Sequence, residues 1–232
     1  MKLSYDLHLH SCLSPCGDRD MTPNNIVNMA SLLGLDVIAV SDHNTARNLP
    51  AVFAVAERVG LLVIPAMELC SAEEIHMLCL FPALQNALSC SEAVYPYLPK
   101  IRNKPEIFGE QLVLDENDSV IGEEPYLLIN ALSLPLDELI YVVKRHDGLA
   151  IPAHADKNAY SITASLGMIP PEYGFPCIEQ KNPDAVLDFS GGRIFNSDAH
   201  YLEHINEPLH FLESKDKSIS SILHTLLQMP PL

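Results

Sequence analysis

The sequence predicts an α/β fold, a sheet or barrel of strands with helices between them. Three observations carry this. Apolar strand-like runs alternate with helical stripes through the first part of the chain. The helical stripes carry their own start and stop residues. Finally, His43, Glu68, His154, Asp198 and His200 fall at or just past the carboxyl ends of predicted strands, where (β/α) barrels place their active sites.

The first strand is read over Lys2 to His10. Alternation puts Leu3, Tyr5, Leu7 and Leu9 on one face and Asp6, His8 and His10 on the other. Thr22 and Pro23 then read as N-cap and first helical residue. Ile26, Val27, Ala30 and Leu33 form the helical stripe, and Gly34 ends it. DVIAVS (36–41) is a buried strand that leads into Asp42 and His43. A helix is expected from about Pro50 to Val59, stopped by Gly60. LLVIPA delivers Glu68, and EIHMLCLF (74–81) is the next strand.

The stretch from about 83 to 134 breaks this grammar. Prolines stand at 96, 99, 105 and 125, and EQLVLDENDSVIGEE reads as a hairpin turning at Glu116-Asn117-Asp118. The expectation is one domain over 1–232 with an inserted hairpin or side lobe. The pattern then resumes. Pro135 to His146 is an amphipathic helix closed by Gly148, and LAIPA delivers His154. Strands follow at CIEQKN and RIFNS, the last leading to Asp198 and His200, and SISSILHTLLQ closes the chain as a helix.

Composition narrows the class. Hydrophobic residues make up 48%, which allows a full core. There is no apolar run of bilayer length and no basic-then-apolar leader, so no membrane partner is expected. Six cysteines in 232 residues do not read as a disulfide scaffold, and a reduced, cytoplasmic protein is the expectation. The net charge is -16 with no basic block, which argues against long nucleic acid as a ligand and for a small phosphorylated one.

Nine residues recur near strand ends: His8, His10, Asp18, His43, Glu68, His76, His154, Asp198 and His200. Imidazole with carboxylate suits zinc, manganese or iron. Each residue alone has a plain structural reading, as a core histidine or a buried ion-pair partner. Burying so many ionisable groups together is costly without a compensating charge, and metal ions supply one.

Five ordered stretches resemble the PHP (polymerase and histidinol phosphatase) family: DLHLHS at 6–11, SDHN at 41–44, Glu68 with EIHML at 74–78, PAHAD at 152–156 and SDAH at 197–200. The resemblance implies a distorted (β/α)7 TIM-like barrel with two to three divalent metals in a cleft at the strand ends. It implies that His8, His10, Glu68 and Asp198 hold the first metal and act in catalysis through it. Glu68 would bridge to a second metal with His76 and His154, and Asp18, His43 and His200 would hold a third. Asp20 is an alternative to Asp18. The implied activity is metal-dependent hydrolysis of a phosphate ester of a small metabolite, nucleotide or short oligonucleotide. A histidinol-phosphatase-type monoesterase and a non-catalytic metal-binding regulatory module are the alternatives.

Family members often carry an arginine soon after the fifth motif's histidine. Here the position offers Lys157, and Arg193 is a second cationic candidate for substrate binding. Asp6 and Asp42 read either as groups that orient imidazoles or as strand-end caps. Cys12 and Cys16 read as two reduced thiols, an extra ligand pair or a redox pair.

Overall fold

The computed structural model describes residues 1–230. Eleven strands and seven α-helices follow in chain order: β1 (Lys2–Leu9), α1 (Pro23–Leu33), β2 (Val37–Val40), α2 (Leu49–Val59), β3 (Leu62–Val63), β4 (Ala66–Cys70), β5 (His76–Leu80) and α3 (Leu84–Val94). Then come α4 (Pro105–Phe108), β6 (Leu112–Leu114), β7 (Val120–Glu123), α5 (Leu136–Arg145), β8 (Leu149–Pro152), α6 (Ile162–Leu166), β9 (Cys177–Glu179), β10 (Gly192–Ile194), β11 (Phe211–Glu213) and α7 (Ile219–Leu227).

The strands trace a distorted TIM-type ring. β1 pairs in parallel with β2, and β2 with β3. After Pro65 the chain continues as β4, which pairs antiparallel with β5, and β5 with β8. The Ala155 N–H donates to the Glu179 carbonyl at 2.7 Å, joining the end of β8 to β9. β9 runs parallel to β10. A single bridge between Leu9 and Ala199 returns to β1. Two of these joints are isolated contacts rather than full ladders, which is the distortion.

One apolar cluster draws on every strand of this ring: Leu3, Tyr5 and Leu7 meet Val37, Ala39, Ile64, Ala66, Leu78, Ile151, Cys177 and Ile194. Ile222 and Leu226 of α7 and Leu212 of β11 join the same cluster. A second cluster lies between strands and helices, where Val40, Met67 and Met77 pack with Ile26 of α1, Val52 of α2 and Leu139 of α5.

β1 departs from strict alternation. Leu9 packs in the second cluster, apart from Leu3, Tyr5 and Leu7. The β1–β2 register slips by one residue between Asp6 and Leu9. A bulge resets the period of two, so the four apolar residues do not share one face as the alternation predicted.

Local signals hold up well elsewhere. Thr22 caps α1, its hydroxyl accepting from the Asn25 N–H at 3.2 Å. Such a cap stabilises by about 1 kcal/mol. Gly34 and Gly60 end α1 and α2 at φ 83° and 72°, the left-handed region that glycine enters without strain. The β6–β7 hairpin turns between Asp115 and Ser119. It is tied to the loop after β1 by the Leu112 N–H donating to the Cys12 carbonyl at 3.1 Å. α3 packs on β4 and α5. β11 was not foreseen; it pairs antiparallel with the start of β1, Lys2 opposite Glu213. The short α6 is likewise additional.

Candidate metal centre

The strand ends converge on one carboxylate. Glu68, on β4, is buried, and five imidazoles surround it. Its Oε1 lies 2.9 Å from His76 Nδ1, 3.1 Å from His154 Nε2 and 3.4 Å from His8 Nε2. Its Oε2 lies 3.1 Å from His43 Nδ1 and 3.4 Å from His10 Nε2. Asp198 Oδ1 stands 3.5 Å from His8 Nε2 and 3.3 Å from His10 Nε2. His200 stacks on His10, with ring centroids 4.3 Å apart.

Three sets of donors come close enough to share an ion: His8, His10 and Asp198; His43, Glu68 and His76; His10, His43 and His200. The residues present fit metal ions. His43 Nδ1 and Glu68 Oε2 are buried without a hydrogen-bond partner, an arrangement that costs about 1–3 kcal/mol per orphaned group unless something else satisfies it. His8 Nε2 and His10 Nε2 face each other at 3.2 Å, and two lone pairs at that distance call for a cation or proton between them.

The charges respond to one another. Burial disfavours protonation of His8, but Glu179, Glu68 and Asp198 outweigh it and hold its pKa well above the usual imidazole value. His10 is raised against burial by its contacts with Asp198 and Glu68. Burial pushes the Glu68 carboxyl up, yet His76, His8 and His43 bring it well below the ordinary value. Asp198 is lowered against burial, chiefly by His8 and His10. His200 is lowered to about 3, by burial first and then by the charge of His10.

Backbone strain collects here. Asn44, His154, Tyr160 and Asp198 have φ of 54°, 31°, 54° and 53°. Non-glycine residues in this region cost about 1–3 kcal/mol each and persist where surrounding structure fixes them. Asn44 shows the fixing: its side chain accepts from the Cys70 N–H at 3.0 Å and donates to the Leu128 and Asn130 carbonyls at 2.8 and 2.9 Å.

Sequence reasoning missed Glu179. Its Oε2 accepts from His8 Nδ1 at 2.7 Å and from Asn196 Nδ2 at 3.0 Å, and its Oε1 accepts from the His154 N–H at 3.1 Å. This fixes the His8 proton on Nδ1 and leaves Nε2 bare toward Asp198 and Glu68. A buried acid within the strand CIE was the only local signal. Asp42 acts at one remove: it accepts from the Ser14 hydroxyl at 2.7 Å, and Ser14 Oγ lies 3.0 Å from His10 Nδ1. Asp6 instead caps backbone, accepting from the Ser197 and Asn206 N–H groups at 3.0 Å. Burial raises its pKa to about 6.

The remaining candidates divide. Lys157 reaches the cleft and pairs with Asp198 at 2.6 Å. Arg193 does not; its guanidinium is held by Gln180 Oε1 and the Leu187 and Phe189 carbonyls. Asp18 lies outside the three donor sets. Its Oδ1 accepts from the Asp20 N–H at 2.9 Å in a local turn.

The sequence pattern of the PHP domain matches residues 6–169. The chain belongs to the PHP domain family. No curated protein matches it. Among solved structures, the endonuclease Q of Pyrococcus furiosus, a lesion-specific endonuclease, shares the fold with a TM-score of 0.66 at 21% identity. That match covers 98% of this chain and 56% of the endonuclease, so the chain spans about half of its length. Endonuclease Q complexed with a 27-mer duplex carrying an abasic lesion at the active site superposes with a TM-score of 0.66, also at 21% identity, over 97% of this chain and 56% of that one. A protein of Bifidobacterium adolescentis assigned as a metal-dependent phosphoesterase matches with a TM-score of 0.61 at 19% identity, over 95% of this chain and 96% of its own.

As a PHP domain the chain is a metal-dependent hydrolase of phosphate esters. One expectation is corrected. The net charge of -16 suggested a small phosphorylated substrate and argued against long nucleic acid, yet this fold accepts a 27-mer duplex in endonuclease Q. Net charge sums the whole surface, whereas a strand is engaged locally, at a cleft whose metals bring their own positive charge. Among the described residues no helix is long and apolar enough to cross a membrane.

Proposed function

We propose that this PHP domain hydrolyses a phosphodiester bond of a nucleic-acid strand, with divalent cations held by His8, His10, His43, Glu68, His76, His154, Asp198 and His200. The observation that carries the reading is the convergence of these donors on one opening. A cavity of about 160 Å³ is lined by His43, Glu68, His76, His154, Asp198 and His200, with Lys157, Ala159 and Tyr160 beside them. When bound, the cations supply an acidified water and positive charge for the phosphoryl oxygens.

The chain's own residues do the rest. Lys157 is the cationic side chain at this opening. Burial disfavours its charge, but Asp198 outweighs it and keeps the ammonium protonated. It offers a positive charge to a phosphoryl oxygen entering beside Asp198. Glu68 holds His76 and His154 in place, and Glu179 and the Asp42–Ser14 pair orient His8 and His10. Tyr160, 50% exposed, packs its ring 5.0 Å from that of His76 and presents an aromatic surface next to the opening. Such a surface suits a nucleobase adjoining the scissile phosphate. The fold shared with endonuclease Q supports a nucleic acid over other phosphodiesters.

The test is hydrolysis by metal-loaded protein of single-stranded and duplex oligonucleotides, with and without an abasic site. Bis-(p-nitrophenyl) phosphate and p-nitrophenyl phosphate serve as class probes, and His8→Ala as control. Strand cleavage lost in His8→Ala is expected. Turnover of monoesters alone would overturn the substrate assignment, and no hydrolysis of any compound at full metal loading would overturn the catalytic one.

A further inference from the structure

The loop between β1 and α1 brings a thiol to the metal cluster. Cys16 is a free, exposed cysteine, and its side chain makes a hydrogen-bonding contact with the His43 imidazole. His43 is itself buried, and its Nδ1 has no hydrogen-bond partner. It forms one donor set with His10 and His200, a nitrogen from each lying within 4.8 Å of the others. This set differs from the other two in having no anionic donor of its own. Three neutral imidazoles leave a divalent cation's charge uncompensated at that position. Asp18 does not provide the missing charge, since its carboxylate is engaged by the Asp20 N–H while its backbone N–H donates to the His200 carbonyl at 2.8 Å.

The loop holds Cys16 firmly. The Ser14 N–H donates to the Ser11 carbonyl at 3.0 Å, and the Gly17 N–H to the Ser14 carbonyl at 2.8 Å. A Cβ at Gly17 would collide with the Ser11 carbonyl oxygen, and one at Gly109 with that of Pro15. Two glycines are therefore what let the chain fold tightly on either side of Cys16. Cys12, the other thiol of the loop, is a different case: it is buried, and burial pushes its pKa up to about 12.

We propose that Cys16, as a thiolate, is the anionic ligand of the metal position formed by His10, His43 and His200. On binding, the S–H bond gives way to a sulfur–metal bond and the proton passes to solvent. A sulfur ligand favours zinc or ferrous iron at this position over manganese or magnesium. The inference rests on the metal centre above and is independent of which ester is cleaved.

Cobalt(II) reconstitution tests it directly, because a thiolate on cobalt gives an intense near-ultraviolet charge-transfer band that nitrogen and oxygen donors do not. The band is expected in the wild type, Cys12→Ser and Asp18→Asn, and absent in Cys16→Ser. Under chelator competition Cys16→Ser should retain one fewer equivalent of zinc. Cys16→Asp should restore the equivalent without the band. Circular dichroism confirms that each variant is folded. A fully loaded wild type without the band, or a band that survives Cys16→Ser, overturns the proposal. Hydrolysis by a protein lacking the band sinks this assignment alone, and a band in a protein inactive on every ester sinks the catalytic reading and leaves this one standing.

Discussion

Glu179→Gln probes the support beneath His8. The wild-type carboxylate faces only donors: His8 Nδ1 at 2.7 Å and Asn196 Nδ2 at 3.0 Å on one oxygen, and the His154 N–H at 3.1 Å on the other. It is ionised, since His8 and its hydrogen bond outweigh burial and lower its pKa. A glutamine replaces one acceptor with an NH2 group. With that group toward His8, either two donors oppose each other or the imidazole proton moves to Nε2, the nitrogen a metal needs bare. With it toward His154, the backbone N–H loses its acceptor. Each arrangement leaves a buried donor unsatisfied, at about 1–3 kcal/mol. Loss of such a supporting group typically weakens metal binding by about 10- to 100-fold, or about 1.4–2.7 kcal/mol. The assay is zinc competition against a chromophoric chelator near neutral pH, with metal-free thermal stability measured alongside. Zinc affinity within about threefold of wild type would show that Glu179 does not set the His8 tautomer.

Four further outcomes follow from the same geometry. His8→Ala removes a ligand nitrogen and the partner of Glu179, and steady-state assays should show hydrolysis falling on the order of 10³-fold or more. Lys157→Ala should leave metal stoichiometry unchanged while raising KM for the phosphodiester by about 10-fold, as expected for one charge-assisted contact of about 1.4 kcal/mol; unchanged KM would remove Lys157 from the substrate site. Leu7→Ala, at a fully buried position of the ring's apolar cluster, should destabilise by about 2–5 kcal/mol in urea unfolding. The pH response has opposite signs with and without metal. The raised pKa values of His8, His10 and His43 contribute stability to the metal-free protein that is complete below about pH 6.5 and lost as pH rises through their folded values. The lowered carboxyls of Glu68, Glu179 and Asp198 contribute stability present above about pH 4.5 and lost on acidification. Metal-free melting temperature should therefore peak between about pH 4.5 and 6.5, while zinc affinity climbs above that range as the imidazoles shed protons. Metal-free stability that keeps rising from pH 7 to 9 would contradict this.

What the sequence determined is local. Caps and stops at Thr22, Pro23, Gly34 and Gly60 depend on the chemistry of one or two residues, and α1 and α2 begin and end almost where those residues place them. The hairpin carried its own turn residues. The metal-capable side chains were legible because they stand at strand ends among apolar residues, and eight of the nine converge within the structure. Only the tertiary structure decided the features that join distant segments. The bulge in β1 arises from the register with β2, not from its own alternation. The start of β1 is completed by β11 from the far end of the chain. Glu179 lies 171 residues from His8, and nothing in CIE marks it as the acid that fixes that imidazole. Cys16 and Asp18 stand two residues apart in one loop, and spacing favoured the aspartate. The fold of that loop, tightened at Gly17 and packed against Gly109, instead directs the thiol to His43 and leaves the carboxylate in its own turn. Propensity and capping act over a few residues and are written in the chain; a metal centre is assembled across the whole ring, so its supporting hydrogen bonds exist only once the ring has closed.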